Sequence, residues 1–246
     1  MSSFKAIFKK QFKDTLKNMG TLINFIIFPL VAFAMSMLVV VEFEGVPEDI
    51  AQMLSANMPN LVTMMAAVFA GMGLIPAVTG IISEDIEKKS LRFLHMAGVK
   101  PAGYLLGVGG ITFMFSIGTA IAFGLISDFV GRDFWIFVAS ILSGVAASIV
   151  LGATIGITSQ NQQSATALAM PIALILGFGP MMAQFNDTIA RVLHIFYTQQ
   201  LNVIADYLAV SGVETPLWQS FAIIWVNVAV LGIIFAIVYK KKGLKG

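Results

Sequence analysis

The 246-residue chain has no cysteine, only two histidines, and charged side chains at just 11% of its positions. Without cysteine there is no disulfide framework, no thiolate metal site and no cysteine nucleophile, although compartment stays open. His194 has no carboxylate or second histidine at ligand spacing, which argues against a metal role. The shortage of charge has the larger consequence. A chain that is 58% hydrophobic, with 20 Phe and 14 Met, is too apolar for a soluble globular domain. Its apolar residues fall in blocks, each long enough for the roughly 20 residues a helix needs to cross hydrocarbon. This composition is that of an integral membrane protein.

Six spans can be drawn, near Thr21–Val41, Pro59–Ile82, Gly103–Ile126, Phe134–Ile157, Thr166–Phe185 and Gln219–Tyr239. The strand-length alternation of a membrane β-barrel is missing, so the expectation is an all-α polytopic protein in a single domain, residues 1–246. Basic residues set the orientation. Lys5, Lys9, Lys10, Lys13 and Lys17 precede span one. Lys88, Lys89, Arg92 and Lys100 follow span two, and Lys240, Lys241, Lys242 and Lys245 follow span six. The other side holds only Arg132 and Arg191, with acidic Glu42, Glu44, Glu48 and Asp49. The positive-inside rule then puts both termini in the cytoplasm.

Residues 1–19 carry Phe4, Ile7, Phe8, Phe12, Leu16 and Met19 at helical steps between lysines. This is the pattern of an amphipathic helix lying on an anionic leaflet, and not of a cleavable signal, since a full span follows. In span four, Ser140, Gly144, Ser148, Gly152 and Gly156 recur at every fourth residue. Such a ridge of small residues lets another helix approach closely. The stretch 186–213 has two apolar patterns at helical spacing, each too short to span, which predicts a pair of re-entrant-like helices before span six.

What the spans lack narrows the chemistry. As drawn, they contain no Asp, Glu, Lys, Arg or His, whereas ion-coupled carriers place such groups at depth. No G-x-S-x-G or H-E-x-x-H is present for a protease, and no filter-like loop or charged ring for a channel. The phosphate-cradling G-x-x-x-x-G-K-[ST] is missing too, since Lys89-Ser90 follows Lys88. If the chain works against a gradient, its motor is another subunit.

The exception to this aversion to charge is ISEDIEKKSLRFLHMAG, residues 82–98, between spans two and three. Read as one helix over 84–99, it places Ile86, Ser90, Phe93, Leu94 and Ala97 on one face, with Glu84, Glu87, Lys88 and Arg92 towards the other. Acidic residues lead and basic ones follow, which suits the helix dipole.

This segment resembles that of ABC type-2 permeases, the exporter-type (type V) membrane subunits with six spans. Glu84 or Asp85 with Glu87 match their acidic lead, Ser90-Leu91 their Thr-Leu, Leu94 their Leu-rich turn, and Tyr104-Leu105-Leu106-Gly107 their entry to span three. Lys89 stands where Gly is usual, and Gly98 where Pro is usual. The likeness extends over nearly the whole chain, including a polar SQNQQSATA loop before the Pro-containing fifth span. It implies a dimer, of like or unlike permease copies, carrying two ATPase subunits in a cell membrane of bacterial type. The coupling helix would then comprise Glu84, Asp85, Glu87, Ser90, Leu91, Leu94 and Gly98. The chain itself would hold no cofactor, ATP and Mg residing on the partner, and it would meet lipid and no nucleic acid. The expected cargo is amphipathic or hydrophobic, moved outwards. A non-transporting scaffold or sensor, or an ion-coupled carrier, are the competing readings.

Overall fold

The computed structural model describes residues 12–13, 15, 19–41, 62–96, 98–127, 129–209 and 216–244. Among them every regular element is helical: α1 (Met19–Val41), α2 (Val62–Glu87), α3 (Ser90–Met96), α4 (Pro101–Ile126), α5 (Gly131–Thr158), α6 (Gln162–Ala183), α7 (Asp187–Leu193), α8 (Tyr197–Ala209) and α9 (Leu217–Leu244). α2, α4, α5, α6 and α9 are long and apolar enough to cross a bilayer, and α1 has a shorter apolar core at Leu22–Met37. The protein is therefore an all-α polytopic membrane protein. Of the expected N-terminal helix, Phe12, Lys13 and Thr15 are described. Phe12 stacks on Phe115 of α4 with ring centroids 6.5 Å apart, and Thr15 is buried. The rest of residues 1–18, the acidic stretch 42–49 and the tail of the 186–213 pair at 210–213 lie outside the described residues.

α5 is the central post, packed against α2, α4, α8 and α9. Its ridge of small residues explains how. A Cβ added to Gly152 would lie 2.7 Å from the Ile75 carbonyl oxygen of α2, and one on Gly156 would lie 2.9 Å from that of Thr79. Gly144 opens the same room for Leu201 of α8, at 2.9 Å. Thr79 Oγ1 then donates to the Gly152 carbonyl at 3.0 Å. With lipid as apolar as any side chain, close approach and internal hydrogen bonds hold such helices together. α9 is the contrast: 11% of its apolar window is buried, against 67% in α2.

α2 is not a regular α-helix throughout. Phe69–Gly73 form a π-turn, in which the Leu74 N–H reaches back to Phe69 O. The widened turn presents the Ala70 carbonyl to Ser148 Oγ of α5 at 2.7 Å, and Ser148 shares a 2.9 Å hydrogen bond with the Tyr197 hydroxyl of α8. At the same turn α2 meets α6 backbone to backbone: a Cβ on Gly71 would fall 2.6 Å from Gly177 N. Single π-turns inside α-helices are frequent at functional sites.

Two boundaries differ from expectation. The helix expected over 84–99 is two pieces, because α2 continues through Glu87 and Lys89 then takes a left-handed conformation at φ 57°. That conformation interrupts a right-handed helix. Span two consequently includes Glu84, Asp85 and Glu87, and is not free of ionisable groups as drawn from hydropathy.

Candidate functional site

At the end of the bundle carrying the Lys-rich loops, five elements converge on the segment 84–99. α2 delivers its acidic end, and Lys88 and Lys89 make the turn, with Lys88 N–H on Glu84 O and Lys89 N–H on Ile86 O, both at 2.9 Å. Lys88 Nζ also pairs with Glu84 Oε1 on the exposed surface. α3 ends where Gly98 adopts φ 75° and Val99 N–H donates back to Leu94 O at 3.0 Å. This is a Schellman-type ending, which left-handed Gly permits without the penalty of a Cβ. Pro101 then opens α4 at its first turn, where its missing N–H costs nothing.

The residues expected to act together divide into two sets. Asp85 turns inward: it is buried, and Tyr104 of α4, fully buried, donates its hydroxyl proton to Asp85 Oδ2 at 2.9 Å. Leu94 also packs inward, against the apolar core, and Ser90 is half-buried. Glu84, Glu87 and Gly98 stay accessible at the surface. Leu91 falls within α3, and its side chain lies outside the described residues.

Glu87 makes the contact with the widest reach. Its Oε2 accepts from the backbone N–H of Gln162, 3.2 Å away at the first turn of α6. That helix start is otherwise closed by a capping box between Asn161 and Ser164. A carboxylate suits this position, because the first turn of a helix presents unpaired N–H groups and the positive end of its dipole. The acidic end of span two thus holds the start of span five directly.

Three further contributors were not among the expected site residues. Tyr239 of α9 donates its hydroxyl to Val99 O at 3.1 Å and lies 5.7 Å from the Tyr104 ring. Phe93 and Met96 of α3 stand 65% and 66% exposed, at a rim that is otherwise basic and polar. Gly71 and Gly177 form the crossing of spans two and five. For these the signal was present, as GMG at 71–73 and GFG at 177–179, one Gly-x-Gly on each helix.

On the opposite side of the bundle, α7 and α8 form the short helical pair. Asn186 Oδ1 caps α7 by accepting from the N–H groups of Thr188 and Ile189. Burial pushes the Tyr197 hydroxyl well above its ordinary range, partly offset by the Ser148 hydrogen bond, and burial likewise raises the Asp206 carboxyl. Among the described residues, no group of three or more His, Asp or Glu is placed to hold a metal.

A model of the family described as ABC-2 type transporter matches residues 2–199 of the chain. The match takes in α1 through α7, the whole of the converging segment and the start of α8, and leaves α9 beyond it. No curated protein matches the chain.

Proposed function

The chain belongs to the ABC-2 type transporter family, and from that premise we propose that it works as the membrane half of an ATP-driven exporter, powered by separate ATPase subunits. Family membership makes it a multi-pass permease component of an ABC transporter, not a nucleotide-binding one. On this reading the basic face, with both termini, is cytoplasmic in a bacterial plasma membrane. Two copies, or this chain and a relative, bind two ATPase subunits that hold ATP and Mg, and an amphipathic or hydrophobic cargo moves outwards.

The observation that carries the reading is α3. A seven-residue helix that shows Phe93 and Met96 to solvent suits a groove on a partner protein. Its mounting suits transmission. Asp85–Tyr104, Glu87–Gln162 and Val99–Tyr239 tie the α3 junction to spans three, five and six. In a protein with two conformations, an ATPase that binds ATP only when closed biases the permease by as much as the docking differs between the two states. Direct links at the junction let that bias reach several spans at once.

The test separates docking from transmission. Phe93→Asp with Met96→Asp is expected to lose the ATPase on co-purification while the permease still inserts. Glu87→Ala is expected to retain ATPase binding and hydrolysis but lower ATP-dependent transport several-fold in proteoliposomes. Retention of the ATPase by the double variant would overturn the docking role. Full transport by Glu87→Ala would overturn the transmission role. A scaffold would show no nucleotide-dependent change in either assay.

A further inference from the structure

Spans five and six, α6 and α9, barely touch one another. The gap between them is a cavity of about 280 Å³, floored by Leu151 of α5, walled by Ile172, Ile175 and Leu176 of α6 and Asn227 and Leu231 of α9, and bounded by Phe196 and Tyr197. Its flanks are lipid-type surface: Leu174, Ile175, Phe178, Val230 and Ile234 are all exposed and apolar. Anything that reaches this cavity between the two spans comes from the bilayer.

Asn227 is out of keeping with that lining. Its Nδ2 donates to Ile195 O at 2.9 Å and to Ile223 O at 2.8 Å, so both amide protons are used and the side chain is held in one orientation. Its Oδ1 accepts no hydrogen bond from the described residues. The other polar group in the wall, the Tyr197 hydroxyl, is engaged with Ser148. In hydrocarbon an acceptor left without a donor is costly. One acceptor does not hold a water, which needs at least two polar partners. A plain acyl chain fills the volume and leaves the acceptor unpaired.

We propose that this cavity binds a membrane-dissolved phenol or alcohol, an apolar body with one hydroxyl, whose proton goes to Asn227 Oδ1. The size follows from the volume. A dry cavity of ~150 Å³ takes benzene, so this one takes about a dozen heavy atoms. The site lies on one chain, and its existence does not depend on the transport reading.

The test uses the full chain in lipid nanodiscs and a 4-alkylphenol carrying a diazirine on its tail, with labelled peptides mapped by mass spectrometry. Saturable labelling is expected in 172–176, 196–197 and 227–231. At equal membrane concentration 4-hexylphenol should compete about tenfold better than hexylbenzene, which lacks the donor. Asn227→Leu should erase that preference, and Ile172→Trp or Leu231→Trp, which fill the cavity, should remove the labelling. Equal competition by the two molecules would reduce the site to a lipid-tail groove and overturn the proposal. So would labelling spread evenly over the lipid-facing helices. The competition requires no variant, so a poorly folded mutant does not blunt it.

Discussion

The crossing of spans two, four and five inside the membrane and the junction at the basic rim are held together in opposite ways. At the crossing, backbone meets backbone. Gly71 faces the backbone of Leu176 and Gly177, and Gly152 and Gly156 face the carbonyls of Ile75 and Thr79 with the Cβ atoms of Val78 and Ile82 beside them. At the rim, polar side chains bridge between elements: Asp85 with Tyr104, Glu87 with Gln162 N, Val99 O with Tyr239. Close-packed interiors transmit strain and resist deformation. Hydrogen bonds between side chains tolerate small rotations of their partners. The crossing therefore resists relative movement of its helices, whereas the rim lets the joined elements adjust slightly without losing contact.

The hardest blow to that contrast falls on the crossing. Gly71→Ala puts a methyl 2.6 Å from Gly177 N, where only backbone can yield. A loss of ~3 kcal/mol or more is expected, read as a lowered melting temperature in detergent or as failed insertion. Gly118→Ala, with nothing within 4 Å, should be neutral, and equal effects of the two would refute the packing account.

Second is the rim. Asp85→Ala leaves the buried Tyr104 hydroxyl without this acceptor and should cost about 2 kcal/mol, whereas Asp85→Asn keeps an acceptor and should cost clearly less. Chemical denaturation of the two variants would compare them. Parity would mean that neither the volume nor a neutral acceptor at this position matters, and would refute the hydrogen-bond account.

The smallest effect is a gain. Lys89 holds φ 57°, a conformation that costs a side-chain-bearing residue about 1 kcal/mol and Gly almost nothing. Lys89→Gly should therefore be neutral to stabilising by up to that amount, with part of the gain cancelled by the freer unfolded chain. A loss of stability would show that the Lys89 side chain itself holds the junction.

Much of this was legible in the sequence, for reasons that can be named. Spans are set by hydropathy and length, so α1, α2, α4, α5, α6 and α9 fall within a few residues of where the apolar blocks put them. The pair α7 and α8 was legible because amphipathic spacing survives in runs too short to cross. The likeness to ABC type-2 permeases rested on residues that lie inside the matched region. The end of span two was misplaced, because hydropathy stops at the first charges while the helix continues through them to Lys89. Grouping Asp85 with Glu84 and Glu87 followed from their adjacency, yet a helix turns about 100° per residue and points one of the three inward.

The sequence by itself determined that the chain is helical, where it crosses the bilayer, and which segment is unlike the rest, since all three follow from transfer of side chains between water and lipid. Which carboxylate is buried, which one caps span five, and which tyrosine from 140 residues away donates to the Val99 carbonyl were decided only by tertiary structure. Those are pairings between distant segments, and local pattern carries no record of what a helix will meet once it is packed.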